Sequence, residues 1–354
     1  MKILADATLP NVMTMFDSSF KLTLYDTLGQ VPELLTDHEI LVCRSTLKVT
    51  AQCLARSKIQ CVATASSGTD HIDCDYLKQH RIKLFDAKGS NARAVADYVI
   101  ATLAWLIQNK KSFERRAGVI GMGAVGSQVT TRLKAAGFEV LCFDPLKEGF
   151  HSCDMNELAT CSLLCIHANL HETAPFASKQ LINAHFLTQL KSNVIIINAA
   201  RGGIVDEEAL LKVDKPIIYC TDVYCTEPAI DKRIIDLATL CTPHIAGHSI
   251  EAKKMAVVQI SQQLHCYFGR PVPLSIATKP ASGPILSPQI NWQDAALLLF
   301  NPFEDTIKLK AGTDIQHTFL SQREAHQKRH DFNFYNGKHL DAQIRLILGM
   351  DIAF

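Results

Sequence analysis

One segment constrains the fold more than any other. A short apolar run, AGVI, leads directly into the pattern GMGAVGSQVTTRLKAAG, so that Gly121, Gly123 and Gly126 form a GxGxxG. The first glycine permits a tight turn and the second lets a pyrophosphate approach the backbone. The third allows close packing of a helix whose free amides face the anion. The segment therefore predicts a strand, a dinucleotide-binding turn and a helix.

The next strand pattern indicates which dinucleotide is bound. The run EVLCF is followed by Asp144, about twenty residues beyond the glycines, where a carboxylate accepts hydrogen bonds from the adenosine ribose and disfavours a 2′-phosphate. We therefore predict NAD as the cofactor. The alternative is that the glycines only form a tight turn and that Asp144 only begins a loop.

Apolar runs alternate with helical patterns before and after this segment. Such alternation predicts parallel βαβ units, and near-continuous runs such as VIIINAA are typical of strands that are covered on both faces. A chain of 354 residues suits two or three domains. The predicted fold class is therefore α/β.

Composition argues against several classes of partner. The chain has 36 basic and 35 acidic side chains and a net charge of +1, so no global field attracts nucleic acid or a membrane surface. No run reaches the roughly 18 apolar residues of a membrane span. The twelve cysteines are scattered through apolar runs without a CxxC pair, which favours reduced thiols over a metal site. We expect a soluble cytoplasmic protein that binds no metal.

Three polar motifs follow the later strand patterns. Arg201 lies in INAARGG, Asp222 and Glu227 lie in TDVYCTEP, and His244 lies in TPHIAGHS. A guanidinium can bind a carboxylate with two parallel hydrogen bonds, and a histidine beside a carboxylate is a usual general base. Because open α/β sheets bind ligands at the carboxyl ends of their strands, we predict that Arg201, Glu227 and His244 are catalytic. The alternatives are a domain-clamping ion pair for Arg201, a surface carboxylate for Glu227 and a structural role for His244.

The order of these motifs after a dinucleotide turn resembles the D-isomer-specific 2-hydroxyacid dehydrogenase family, over roughly residues 40 to 268. The resemblance implies that Arg201 binds the substrate carboxylate and carbonyl, that His244 transfers the proton and that Glu227 raises its basicity. It also implies a Rossmann-type NAD-binding domain, residues 91–244, inserted in a flavodoxin-like substrate domain, residues 1–90 and 245–280. Catalysis is then expected in the cleft.

The N-terminal motifs VCRSTLKV, VATASSGTDHID and KGSNARAVADYV resemble one branch of this family, which oxidises a phosphorylated four-carbon 2-hydroxy acid in vitamin B6 synthesis. The branch implies a homodimer formed through a small C-terminal α+β dimerisation region, here residues 281–354, called the tail below. The residues predicted to bind the substrate are Arg44, Ser45, Ser66 and His248, the last of which replaces a usual tyrosine. The residues predicted to bind the cofactor, beside the glycines and Asp144, are Ala199, Asp222 and Gly247.

Other interpretations stay open at this stage. Arg44 is also compatible with a guanidinium that only reaches solvent from a strand end, and Arg93 occupies a position that is usually small or apolar. The basic cluster QREAHQKRH in the tail favours a solvated surface, and the alternative is that Arg323, Lys328 and Arg329 reach a partner's cleft in a dimer. For the function, one alternative is a dehydrogenase for phosphoglycerate, hydroxypyruvate or another 2-hydroxy acid. The second is a binding protein that senses NADH without turnover.

Overall fold

The chain folds into two compact units in the computed structural model. The described residues are 1–16, 20–109, 113–273, 281–326 and 328–351. The first unit contains Met1–Asn91 and Ser249–Lys279, and the second unit contains Ala92–His248 and Pro280–Phe354. The assignment of a substrate domain and an NAD-binding domain to particular boundaries stays a prediction, and its boundary at residue 280 lies outside the described residues.

The first unit is built on a five-stranded parallel sheet. Its strands are β1 (Lys2–Asp6), β2 (Lys21–Tyr25), β3 (Ile40–Cys43), β4 (Cys61–Thr64) and β5 (Lys83–Asp86). Their order is β2-β1-β3-β4-β5, which is the order of flavodoxin-like sheets. Neighbouring residues on β1 face opposite cores, because Ile3 belongs to one hydrophobic cluster and Leu4 to another. Burial on both faces explains why these strands are apolar at successive positions.

Helices cover both faces of this sheet. They are α1 (Val12–Met15), α2 (Val31–Leu34), α3 (Ala51–Leu54), α4 (Cys74–Gln79) and α11 (Ile250–Tyr267). Ser249 caps the N-terminus of α11, since its side chain accepts a hydrogen bond from the Ala252 amide at 3.0 Å. It packs Val257 and Ile260 into the same cluster as Ile3. The segment that returns to the first unit therefore completes one of its two cores.

The second unit is built on a six-stranded parallel sheet. Its strands are β6 (Arg116–Ile120), β7 (Glu139–Phe143), β8 (Leu163–Ile166), β9 (Val194–Asn198), β10 (Ile217–Thr221) and β11 (Leu240–Cys241). The order is β11-β10-β9-β8-β6-β7. Because β6 lies between β7 and β8, the strand order reverses at β6, and open α/β sheets bind ligands at such a point. The predicted α/β fold with parallel sheets is confirmed.

The helices of this sheet are α5 (Ala92–Gln108), α6 (Ala124–Ala135), α7 (Met155–Ala159), α8 (Ala184–Gln189), α9 (Glu207–Lys212) and α10 (Lys232–Leu237). Helix α5 is buried along most of its length, and Tyr98 and Val99 on it share a hydrophobic cluster with Val129 and Leu133 of α6. The helix that follows the glycine turn is therefore packed against a helix that is buried along most of its length.

The tail also belongs to the second unit. Its helices are α12 (Trp292–Leu299), α13 (Pro302–Ala311), α14 (Ile315–Ala325) and α15 (Ala342–Ile347). Phe303 of α13 stacks on Trp105 of α5 with ring centroids 4.9 Å apart. The predicted mixture of helices and strands is not found among the tail residues that the structure describes. The physical reason is local, because Ala295, Ala296 and Leu299 recur at helical spacing as one buried stripe.

Two further observations concern the chain as a whole. None of the twelve cysteines, all within the described ranges, is joined in a disulfide. Within the described ranges, no helix is long and apolar enough to cross a membrane.

Candidate active site

The glycine turn lies between β6 and α6, where the strand order reverses. Gly121 has a φ of +91°, and a Cβ there would lie 2.6 Å from the Ala168 amide nitrogen. A Cβ on Gly126 would overlap the Gly121 carbonyl oxygen, whereas a Cβ on Gly123 would meet no atom within 4 Å. The turn is therefore tightly packed at Gly121 and Gly126 and leaves open space at Gly123. This space lies at the N-terminus of α6, where backbone amides favour an anion such as a pyrophosphate.

Asp144 directly follows β7 and closes one side of this turn. Its Oδ2 accepts a hydrogen bond from the Met122 amide at 2.7 Å, and Lys147 Nζ donates to the Met122 carbonyl at 2.7 Å. The carboxylate therefore lies beside the glycines, at the place where an adenosine ribose is expected. The donors and the open space of this turn fit a dinucleotide without a 2′-phosphate.

Arg201 lies on the turn that follows β9. The buried Asn198 shapes that turn, since its Oδ1 accepts from the Ala200 amide at 3.2 Å and its Nδ2 donates to the Arg201 carbonyl at 3.1 Å. Arg201 Nη1 donates to the Ala200 carbonyl at 2.7 Å. A Cβ on Gly202 would overlap the Tyr224 carbonyl oxygen. Only glycine lets this turn lie so close to the turn that follows β10.

Glu227 and His244 form a direct pair. Glu227 Oε2 lies 2.7 Å from His244 Nδ1, and Glu227 Oε1 accepts from the Tyr224 amide at 3.0 Å. A carboxylate can only accept in this contact, so Nδ1 carries the proton and Nε2 is the basic nitrogen of the neutral ring. The His244 side chain is 31% exposed and the Glu227 side chain is 21% exposed. The pair is therefore partly shielded from solvent but accessible to a substrate.

The charges around this pair favour an ionised Glu227. Burial raises the pKa of Glu227, but the hydrogen bond and the charge of His244, together with the Tyr224 amide, lower it overall. An ionised carboxylate on Nδ1 stabilises the imidazolium that forms when Nε2 takes a proton. The pair therefore has the arrangement of a general base that can also act as the acid in the reverse direction.

Asp222 holds the loop that carries His244. Its carboxylate is 1% exposed and accepts from the Ile245 amide at 2.7 Å, from the Ala246 amide at 2.8 Å and from Thr242 Oγ1 at 2.7 Å. Burial raises the pKa of Asp222, while the charge of His244 and these hydrogen bonds oppose the rise. In the structure, this side chain organises the loop, and the predicted contact with the cofactor stays a prediction.

The backbone of His244 adopts a conformation that side chains rarely take. Its φ is +56°, in the left-handed region that costs a non-glycine residue energy and persists when neighbouring contacts impose it. The Asp222 carboxylate accepts hydrogen bonds from the amides of Ile245 and Ala246, which immediately follow His244. The buried carboxylate thus fixes the strained turn that aims the imidazole.

The predicted substrate residues of the first unit share one edge of its sheet. Arg44 and Ser45 follow β3, and Ser66 lies just beyond β4, the strand paired with β3. Arg44 Nη1 donates to Thr8 Oγ1, and Thr8 follows β1, the strand on the other side of β3. The structure therefore gathers a guanidinium and two serine hydroxyls at the carboxyl ends of neighbouring strands, a set that suits a phosphate.

The remaining predicted residues lie in the second unit. Ala199 is buried directly after β9, and Gly247 and His248 end the loop that begins at His244. The His248 amide donates to the Ile245 carbonyl at 2.8 Å. The structure thus brings Arg201, Glu227 and His244 onto the edge of one sheet, while Arg44, Ser45 and Ser66 lie on the edge of the other.

Several residues of this region were not singled out from the sequence. Tyr224 donates its hydroxyl to the Thr242 carbonyl at 3.0 Å, and Thr242 Oγ1 also lies 2.8 Å from the Tyr98 hydroxyl. Asn198 was visible as a polar residue at the end of a buried run. Tyr224 and Thr242 gave no such signal, because their partners are distant in the chain.

Taken together, the second unit contains a dinucleotide turn, an arginine suited to a carboxylate and a histidine–glutamate proton-transfer pair. Among the described residues, no group of three histidine, cysteine, aspartate or glutamate side chains is arranged to hold a metal ion. This set of groups defines a nicotinamide-dependent dehydrogenase of hydroxy acids.

Sequence comparison agrees with this class. Residues 96–246 match the NAD-binding domain of the D-isomer-specific 2-hydroxyacid dehydrogenases. The protein named erythronate-4-phosphate dehydrogenase in Legionella pneumophila (strain Lens) is 48% identical over 339 residues, which cover 95% of this chain and 96% of that relative. One of the same name in Coxiella burnetii (strain RSA 331 / Henzerling II) is 36% identical and covers 75% and 74% of the two chains. The chain belongs to the D-isomer-specific 2-hydroxyacid dehydrogenase family.

Solved structures of this fold are similar at low sequence identity. The NAD-bound 3-phosphoglycerate dehydrogenase of Entamoeba histolytica superimposes with a TM-score of 0.67 at 21% identity, over 78% of this chain and 99% of that one. The D-lactate dehydrogenase of Aquifex aeolicus gives 0.61 at 21% identity, over 76% and 96%. These two likenesses establish the fold, whereas the more similar relatives carry the name of one member of the family.

Proposed function

We propose that this chain is an enzyme that oxidises 4-phospho-D-erythronate to (R)-3-hydroxy-2-oxo-4-phosphobutanoate with NAD, a step in the synthesis of pyridoxal 5′-phosphate. The observation that carries the proposal is the 2.7 Å contact between Glu227 and His244 in the unit that also contains the glycine turn. The names of the relatives that cover nearly the whole chain support this particular substrate.

The reaction follows from the groups present. His244 Nε2 takes the proton of the C2 hydroxyl, and Glu227 stabilises the resulting imidazolium through Nδ1. The glycine turn and Asp144 would hold NAD, which when bound would supply the hydride acceptor for C2. Arg201 binds the carboxylate and the developing carbonyl with its planar guanidinium, which lowers the energy of the product-like transition state. In the reverse direction, the protonated histidine acts as the acid.

The phosphate of the substrate requires a separate recognition set. In this proposal, Arg44 supplies the positive charge and Ser45 and Ser66 supply hydroxyl donors, while His248 replaces the tyrosine that is usual in the branch. Charge-assisted hydrogen bonds to a phosphate are among the strongest that side chains make. This set decides which 2-hydroxy acid is accepted.

The test is the formation of NADH by the purified full-length protein with 4-phospho-D-erythronate, 3-phospho-D-glycerate or D-lactate. A parallel reaction contains a 2-oxo acid as an alternative acceptor, and the 2-hydroxy acid formed from it is measured, so that reduced cofactor held on the protein does not hide turnover. Selective oxidation of the four-carbon phosphate is expected. Preference for 3-phospho-D-glycerate would retain the family and reject the substrate, and NADH binding without turnover of any acid would favour a sensor.

We further propose that the protein is a cytoplasmic homodimer formed through the tail. Twelve cysteines without a disulfide favour a reducing compartment. Large apolar side chains are exposed on three successive tail helices, at Leu298, Ile307 and Leu320, and exposed apolar groups of this kind often mark an interface. Light scattering after gel filtration should give the mass of two chains. The mass of a single chain for the wild-type protein would reject the proposed homodimer.

A further inference from the structure

Arg329 of the tail is a buried cation. The basic cluster around it favoured a solvated surface, yet Arg329 is 7% exposed while its neighbour Lys328 is exposed. Burying a guanidinium is costly unless hydrogen bonds and opposite charges compensate for lost hydration. The surroundings of Arg329 should therefore contain such groups, and their identity indicates what the residue does.

The guanidinium bonds to the backbone of two other segments. Nη2 donates to the Ala94 carbonyl at 3.0 Å and to the Ala246 carbonyl. The guanidinium carbon also lies 4.6 Å from the centre of the Phe300 ring. Ala246 is two residues beyond His244, and its amide donates to the buried Asp222. The loop is thus held through the amide of Ala246 by Asp222 and through its carbonyl by Arg329.

Charge supports this arrangement. Burial lowers the pKa of Arg329, and the charges of Asp97, Asp331, Asp222 and Asp305 oppose that change. Asp222 is therefore linked to Arg329 electrostatically as well as through the Ala246 peptide. Loss of the cation would remove a hydrogen bond to the loop and a counter-charge near the carboxylate that fixes it.

The tail segment around Arg329 is itself firmly anchored. Asp97 of α5 accepts from the Phe332 amide at 2.8 Å and forms a fully buried ion pair with Arg132 of α6. Arg93, whose role was open from the sequence, donates through Nη1 to the Gly349 carbonyl at 2.8 Å. These contacts fix the backbone on the C-terminal side of Arg329 to the helices of the same unit.

The tail also packs against the turn that carries Glu227. Phe319 of α14 meets Tyr224 edge to face, with ring centroids 6.2 Å apart. Tyr224 in turn donates its amide to Glu227 and its hydroxyl to the Thr242 carbonyl. The tail therefore contacts the supports of both members of the proton-transfer pair.

We propose that Arg329 is a positioning residue for His244, acting through the Ala246 carbonyl and the Asp222 carboxylate to hold the loop in its strained conformation. The proposal rests on the proposed function, since it assigns Arg329 a part in the same proton transfer. The tail thereby contributes to the active-site geometry of its own chain, whether or not it also forms a dimer.

The test compares R329M, R329K and the exposed control K328A in the full-length protein. For R329M, kcat should fall by about 10²-fold, the effect of a misplaced catalytic group. The primary isotope effect with substrate deuterated at C2 should rise, because chemistry becomes slower than product release. Hydrogen exchange of the Ile245 and Ala246 amides should accelerate. R329K should be intermediate in kcat and exchange, since an ammonium keeps the charge but not the planar fork, and K328A should match wild type.

Exchange does not require turnover, so it tests the positioning of the loop even if wild type oxidises none of the acids, an outcome that would reject only the proposed function. Unchanged kcat and amide exchange in R329M would overturn the proposal, as would an equal loss in K328A. If R329M does not fold, the test rests on R329K. A kcat and an amide exchange rate equal to those of wild type in R329K would then overturn the proposal. A lower melting temperature with wild-type kcat per folded chain would mean that Arg329 is only structural.

Discussion

The carboxyl edges of the two sheets differ in how their polar side chains are held. In the second unit, Glu227 bonds to both a side chain and an amide, and Asp222 accepts three hydrogen bonds while being almost fully buried. In the first unit, Ser45 is exposed and Ser66 is half-buried. One edge is therefore preorganised, and the other presents hydroxyls to solvent.

This difference suits two different tasks. Proton transfer requires a fixed distance between the base and the hydroxyl, so its groups benefit from being locked before the substrate arrives. Recognition of a phosphate requires charge and donors, which can adjust as the ligand binds. We therefore expect substitutions at the second-unit edge to lower kcat and those at the first-unit edge to raise KM.

The largest expected effect is at His244. His244→Gln should lower kcat by about 10²- to 10⁴-fold, because glutamine keeps a hydrogen bond but cannot take the proton. Steady-state kinetics measure the loss, and NADH titration checks that the cofactor turn is intact. His185→Ala removes an exposed histidine of the same unit and should change neither value. Turnover retained in the glutamine variant would remove His244 from the mechanism.

Arg201 should be nearly as sensitive although its charge can be kept. Arg201→Lys should lower kcat/KM by about 10²-fold, because lysine cannot bind a carboxylate and its neighbouring carbonyl in one plane. The matched control is Arg233→Lys, which changes an exposed arginine of the same unit. Equal kinetics for the two lysine variants would instead favour a structural role for Arg201.

A buried histidine near the second-unit edge should make the free energy of unfolding depend on pH. His167 follows β8, and burial lowers its pKa to about 3. The His167 ring takes up a proton more readily in the unfolded chain than in the folded one. The stability that depends on the neutral ring is therefore fully present above pH 6.5 and is lost as the pH falls toward 3. At pH 5 this residue lowers the free energy of unfolding by about 2 kcal/mol.

Urea unfolding at pH 7 and pH 5 measures this effect. His167→Gln should remove that part of the pH dependence, whereas His185→Ala should retain it because that side chain is exposed. The same fall in stability for wild type and the glutamine variant would show that His167 does not titrate in this way.

The smallest effect is expected at the first-unit edge. Arg44→Ala should raise KM for the phosphorylated acid by about tenfold, which is the loss of one charge-assisted hydrogen bond, with kcat unchanged. The neighbouring exposed Lys48→Ala is the control. A lower kcat with constant KM would place Arg44 in the chemical step and would remove the contrast between the two edges.

The fold was predictable where burial leaves a local pattern. The strand Val194–Asn198 is apolar at its first four positions because both faces are covered, and the glycine turn carries its spacing in the sequence. The motifs around Arg201, Glu227 and His244 were recognisable because each follows such a strand. Their ordered appearance after a dinucleotide turn then indicated the family.

Other features depend on contacts between distant residues. The Arg329 bond to Ala246 joins positions 83 residues apart, and the hydrogen bond of Tyr98 to Thr242 spans 144. No local pattern distinguishes a buried arginine such as Arg329 from a solvated neighbour such as Lys328. The tail was mispredicted because its helices are short, from 6 to 11 residues, so that each apolar stripe spans only two or three turns of sequence.

The most direct test measures kcat/KM for 4-phospho-D-erythronate and for D-erythronate without the phosphate, in wild type, His244→Gln and Arg44→Ala. If the second-unit edge performs the proton transfer and the first-unit edge recognises the phosphate, the glutamine variant loses the same factor on both acids. Arg44→Ala then loses activity only on the phosphorylated one. Equal losses on both acids in Arg44→Ala, or a loss confined to the phosphorylated acid in His244→Gln, would contradict the account.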